Sequence, residues 1–166
     1  MFHSIAPKNL TGNVFSLIGS QWMLVTAGTK EHCNTMTASW GGLGVIWGAP
    51  AATCYIRPQR YTKEFLDRED YFTLSFFDEA YRKALSLCGA KSGREVDKIK
   101  ECGFTVETAS CGAPYFGEAQ LVLVCRKRFV QEMDPACIPE DVKEKWYPGK
   151  DYHTQYIGEI VEVLTK

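Results

Sequence analysis

Short runs of β-branched and aromatic residues follow one another along this chain with no regular helical crossovers between them. Gln21–Ala27, Cys33–Ser39, Ala52–Ile56 and Tyr71–Phe77 read as strands in the first half. Phe104–Ala109, Ala119–Val124, Phe129–Met133 and Tyr156–Leu164 do so in the second. Consecutive parallel strands need a crossover of about a dozen residues, usually a helix. The spacing therefore argues against a doubly wound sheet. It predicts a mostly antiparallel β-barrel with a few short helices at its edges.

The helical signals are brief. Thr62 is placed to cap a helix running to Arg68, and Asp78 one that ends at Gly89. Ser92 and Glu95 have capping-box spacing, with Gly103 as the stop. Gly28-Thr29-Lys30-Glu31 reads as a hairpin turn. Trp40–Pro50 carries four glycines and a proline and reads as loop or broken helix. Asp134–Tyr152 is polar, with three prolines and room for a helical turn at Glu140–Trp146.

At 166 residues the chain fits a single domain, 1–166, large enough for a buried core. A formal net charge of -1 favours neither nucleic acid nor an anionic membrane as partner. No apolar run approaches the ~20 residues of a membrane span, and the first residues lack the pattern of a secretory signal. The seven cysteines are odd in number and never spaced C-x-x-C, which points to a reducing cytoplasm and away from disulfides, zinc or iron–sulfur clusters.

Catalytic signatures are missing as well. His3, His32 and His153 stand far apart in sequence, so no metal site is expected. Gly41-Gly42-Leu43-Gly44 lacks the spacing and the following helix of a dinucleotide fingerprint. Any chemistry would come from a bound cofactor, and Asn34–Thr62 is the segment suited to hold one. In an extended Asn34–Trp40, Asn34, Met36, Ala38 and Trp40 share one face while Thr35, Thr37 and Ser39 share the other. This reads either as an edge strand with polar threonines outward or as a wall offering hydroxyls to a ligand. Arg57-Pro58-Gln59-Arg60-Tyr61-Thr62 is either a solvated turn or an anion site, with two arginines before a helix start. Lys91-Ser92-Gly93-Arg94 reads equally as a helix start or as a loop reaching a bound anion.

Taken in order, these segments resemble the flavin reductase-like family of FMN-binding split β-barrels, most closely its flavoredoxin-type branch. The resemblance rests on N-T-M-T-A-S-W at 34–40, Pro50, R-P-Q-R-Y-T at 57–62, Y-F-T-L-S-F-F at 71–77, C-G-A-K-S-G-R-E-V-D-K at 88–98 and D-Y-H-T-Q-Y-I-G-E-I-V at 151–161. It implies an antiparallel split barrel that forms a homodimer, with FMN near the subunit interface. Asn34, Thr35, Met36, Thr37, Ala38, Ser39 and Trp40 would line the flavin. Arg57, Tyr61 and Thr62 would reach its phosphate, and Lys91 and Ser92 would close over it. His153 and Tyr156 would lie on the substrate or dimer-partner side. The implied activity is transfer of electrons from NAD(P)H through FMN to a small molecule or redox protein. The alternatives are an FMN electron carrier reduced by a partner protein and a non-catalytic flavin-binding module. Two features depart from the family pattern: an indole at Trp40 where a small hydroxyl residue is common, and the 131–152 segment, which reads as a lid.

Overall fold

The computed structural model describes residues 1–166. Ten strands form: β1 (His3–Ile5), β2 (Met23–Gly28), β3 (Cys33–Ala38), β4 (Gly41–Ile46), β5 (Ala49–Ile56), β6 (Tyr71–Phe76), β7 (Val106–Thr108), β8 (Pro114–Phe116), β9 (Leu121–Glu132) and β10 (Thr154–Thr165). Four α-helices lie between them: α1 (Thr62–Arg68), α2 (Arg82–Ala90), α3 (Lys98–Cys102) and α4 (Glu140–Trp146). The main sheet has eight strands in the order β3-β2-β6-β9-β10-β5-β4, with β1 on the far end of β10. Every pairing is antiparallel, and β7 and β8 form a separate ribbon.

The apolar runs are explained by burial on two faces. Every residue of β2 is buried. Met23, Val25 and Ala27 enter one core cluster with Phe65, Phe72 and Tyr156. Leu24, between them, enters a second cluster with Phe77, Leu85 and Phe116. β9 divides its side chains in the same way, Leu123 and Cys125 against Val122 and Val124. Strands covered on both sides lose the polar alternation that marks a half-exposed sheet. A polar pair inside, Thr26 and Thr35, is satisfied by a 2.9 Å hydroxyl–hydroxyl bond across the β2–β3 ladder.

Several local expectations are corrected. Trp40–Pro50 is no loop. It is most of a hairpin, β4 to β5, turned at Trp47 and Gly48, whose φ angles are 51° and 72°. Two successive positive φ angles are what a tight primed turn requires. Ala119–Val124 and Phe129–Met133 belong to one twelve-residue strand, β9, bent by register shifts against β10. Thr62 opens α1 but does not cap it. Asp78 makes no side-chain cap, and a single 3-10 turn separates it from α2. α3 begins at Lys98, capped by Asp97 through Lys100 N–H, so the Ser92–Glu95 box starts no helix. Glu140–Trp146 is helical as expected.

Candidate functional site

A cleft of about 770 Å³ opens between the end of β3, the end of β5 and α2. Met36, Thr37, Ala38, Ser39 and Trp40 form one wall, delivered by β3 and the residues just after it. Tyr55 and Arg57 come from the end of β5, Gln59 and Arg60 from the turn beyond. Leu85, Ser86 and Gly89 face them from α2, and Trp22 closes the base just before β2. Trp22 holds φ at 71°, a region costly for a bulky side chain, of order 1–3 kcal/mol. The guanidinium of Arg82 stacks 3.5 Å above its ring.

The two arginines of the turn are not equivalent. Arg57 forms a 2.8 Å ion pair with Asp151 and donates a 3.0 Å bond to the carbonyl of Trp146. Its charge is already answered. Arg60 is partly buried, donates to the carbonyl of Gly89 at 2.7 Å, and has no carboxylate partner. Burial pulls its pKa below the usual arginine value. An arginine keeps its proton under such a shift, so the cleft holds an unbalanced cation.

His153 is buried on the opposite side, 2.7 Å from the Tyr147 hydroxyl through Nδ1. Burial, and then the nearby Arg57 charge, lower its pKa to about 4, against an opposing pull from Asp151. The imidazole is neutral at pH 7. Its ring lies 5.0 Å from that of Trp40, which meets Trp146 edge-on at 5.0 Å. α4 thereby brings Trp146 into the cleft lining.

Met36, Thr37, Ala38, Ser39, Trp40, Arg57 and His153 therefore gather around one cavity, whereas the other expected residues lie elsewhere. Asn34 and Thr62 are buried behind the wall. The amide orientation that satisfies both has Asn34 Oδ1 accepting from the Thr62 hydroxyl at 2.7 Å and from its backbone N–H at 3.3 Å. Asn34 thus caps α1 from a neighbouring strand. Thr35 also points inward, to Thr26 and to the carbonyl of Val25. Tyr61 stands edge-on to Phe65 beneath the Arg94 guanidinium, outside the cleft lining. Tyr156 is fully buried in the core, its hydroxyl bonded to the Asp67 carboxylate, and offers no surface to substrate or partner.

Lys91 and Ser92 do not line the cleft, but their loop packs beside it. Arg94 reaches the carbonyl of Gln59 and pairs with Glu64. Gly93 is needed for that approach, since a Cβ there would run into the Asn34 amide. Behind the wall, Lys98 donates 2.9 Å bonds to the carbonyls of Thr35 and Cys88, joining β3 to α2. Trp22, Tyr55, Leu85, Ser86, Gly89 and Trp146 also line the cleft and carry no motif that points to a ligand. Gln59 and Arg60 do carry a readable signal, as members of the turn with two arginines before a helix start.

The model of the flavin reductase like domain matches residues 15–166. The chain belongs to that family. No curated protein sequence matches the flavin reductase like chain. Among solved structures it is similar to flavoredoxin from Methanosarcina acetivorans, at 24% identity and TM-score 0.71, over 88% of this chain and 68% of that one. An FMN-binding domain of a flavin reductases-like enzyme from Shewanella baltica OS155 aligns over 99% of this chain and 77% of its own, at 19% identity and TM-score 0.71. An NADH:FAD oxidoreductase of Streptomyces globisporus C-1027, in complex with NAD and FAD fragments, has TM-score 0.65 and 18% identity, over 88% of this chain and 80% of that one. These neighbours show that the fold is the FMN-binding split barrel. No helix of this flavin reductase like domain is long and apolar enough to cross a membrane. The cleft has the chemistry a flavin nucleotide asks for: apolar and aromatic side chains for a flat ring, hydroxyls of Thr37, Ser39 and Ser86, and the unbalanced Arg60.

Proposed function

We propose that the protein is an FMN-dependent oxidoreductase of flavin reductase or flavoredoxin type, taking electrons from NAD(P)H and passing them to a second acceptor. The observation that carries this reading is the pairing, in one cleft, of apolar and aromatic side chains with a partly buried arginine that lacks a carboxylate partner. Arg60 would neutralise the FMN phosphate, with Arg57 beside it and Lys91 and Ser92 on the adjoining loop. Met36, Ala38 and Leu85 would cover the ring, and Ser39 would hydrogen-bond its polar edge. Once FMN is bound, hydride acceptance and onward electron transfer are its chemistry. No protein acid is required near the ring. A neutral His153 leaves no extra positive charge opposite the arginines. The neighbour complexed with NAD and FAD fragments supports a nicotinamide donor.

The functional unit of this reading is a homodimer. Support comes from apolar side chains left bare, Phe15 at 88%, Val45 at 78% and Trp47 at 63% exposure. Sedimentation of FMN-loaded protein should give about twice the 18.7 kDa chain mass.

The test is FMN titration of purified protein, followed by oxidation of NADH and NADPH with loaded protein. Uptake of FMN and oxidation of either nicotinamide are expected. Failure to bind at high micromolar FMN rejects the whole reading. Tight FMN with no nicotinamide oxidation, but reduction by a partner protein, would make it an electron carrier instead.

A further inference from the structure

Cys88 lies in the last turn of α2, and Cys102 is the last residue of α3. Their sulfurs are 3.8 Å apart, and Cys102 Sγ also reaches the carbonyl of Ala84 at 3.7 Å. A disulfide holds its sulfurs about 2.05 Å apart, so the pair stops under ~2 Å short of one. The remaining cysteines are placed differently. Cys54 and Cys125 are sealed in the core, Cys111 and Cys137 are exposed, and Cys33 is half-buried on β3.

The two thiols differ in access. Cys88 is fully buried and Cys102 is half-buried. An oxidant therefore meets Cys102 first, with Cys88 directly behind it. Beside them lies the buried Lys98, whose ammonium is bonded to the carbonyls of Thr35 and Cys88 and to no carboxylate. An ammonium shut away from water without a counter-ion favours negative charge on its neighbours. The two thiols are neighbours that can supply it. Burial is the larger influence on both and raises their pKa, Cys88 to about 12, while the Lys98 charge pulls both back. Exchange at this pair is accordingly slow.

We propose that Cys88 and Cys102 form a redox-active dithiol that a low-molecular-weight disulfide, such as oxidised glutathione, closes into an internal bond. The Cys102 thiolate attacks one sulfur of the oxidant, a mixed disulfide forms, and one oxidant thiolate leaves. The Cys88 thiolate then attacks Cys102 Sγ, and the second oxidant thiolate leaves. The two protons given up by the cysteines end on the two released thiols, and two electrons pass from the protein to the oxidant. In a reducing compartment the pair stays open, as cytosolic redox-sensing thiols do. The bond closes a ring that contains Gly89 and Arg94. Gly89 accepts from Arg60, and Arg94 donates to the carbonyl of Gln59. The tie thus fastens both ends of the loop that packs against that turn. The dithiol stands whether or not a flavin binds.

The folded full chain is incubated with oxidised glutathione, quenched with iodoacetamide, and mapped by fragmentation mass spectrometry without reduction. One internal link, between Cys88 and Cys102, should appear and be reversed by dithiothreitol. Cys88→Ser should stop the reaction at glutathione on Cys102, and Cys102→Ser should leave Cys88 unmodified. In the oxidised chain, backbone amide exchange over residues 91–97 should slow at least fivefold relative to the reduced chain. Glutathione left on wild-type Cys102 with no internal link, closure seen only in urea, or unchanged exchange over 91–97 would overturn the proposal. So would a link from either cysteine to Cys111 or Cys137 in preference to its neighbour. The wild-type map decides the bond even if a serine variant does not fold.

Discussion

Asn34 on β3 and Thr62 at the start of α1 are hydrogen-bonded partners across 28 positions of sequence. The strand supplies the cap that the helix lacks, and the same strand carries Met36 to Ser39 into the cleft. The helix start and the cleft wall are therefore fixed together. Replacing a capping side chain by alanine costs about 1 kcal/mol, up to about 2. Asn34→Ala should lower the unfolding free energy by that amount, seen as a lower denaturant midpoint with an unchanged slope. Its effect on FMN affinity should be smaller than that of any cleft arginine, because the amide does not reach the cavity. A larger loss of FMN than of stability would return Asn34 to the ligand.

The arginines make a sharper prediction. Removing a charge-assisted hydrogen bond costs roughly 1.5–3 kcal/mol, so Arg60→Ala should weaken FMN about ten- to a hundredfold. Riboflavin, which has no phosphate, should be nearly unaffected. Arg57→Ala should cost less, since Asp151 already balances that charge. Titrating both variants with both ligands checks the order.

Protonation of His153 should limit acid stability. The ring is neutral in the fold, with its pKa lowered to about 4 from 6.5. Unfolded chains therefore bind a proton that the native state does not between those values. The stability contributed by the neutral ring is complete above pH 6.5 and is lost as pH falls toward 4. The slope is at most about 1.4 kcal/mol per pH unit for one proton. Urea melts across this window should show it, and His153→Gln should flatten it.

Gly93 should tolerate no side chain. A Cβ there collides with the Asn34 amide and comes within 3.1 Å of the Tyr61 ring. Gly93→Ala should push the 91–94 loop off the turn at Gln59 and Arg60. Both thermal stability and FMN affinity should fall, whereas Gly44→Ala, at an open position, should change neither.

What the sequence makes legible follows from who decides each residue's fate. Met23–Gly28 and Tyr71–Phe76 are readable because burial on both faces leaves unbroken apolar runs. Gly41–Ile46 is not, because its strand character comes from pairing with β5 and its own glycines argue otherwise. The threonines of β3 show hydroxyls suited to a ligand. Which of them turn inward is set by the ladder with β2, and that puts Thr35 against Thr26. Tyr156 sits in a motif that matches the family, yet Asp67 claims its hydroxyl from a helix end 89 positions away. Arg60 becomes a cleft residue only when α2 brings Gly89 to it.

β10 has a further consequence. It lies between β9 and β5, so without it the sheet falls into two pieces, β3-β2-β6-β9 and β5-β4. Met36 to Ala38 belong to the first piece, and Tyr55 to the second. β10 is also synthesised after every other strand. While the chain is being made, both halves of the cleft can exist without forming one. The cleft between them is therefore drawn together only where β10 pairs with β5 on one side and β9 on the other.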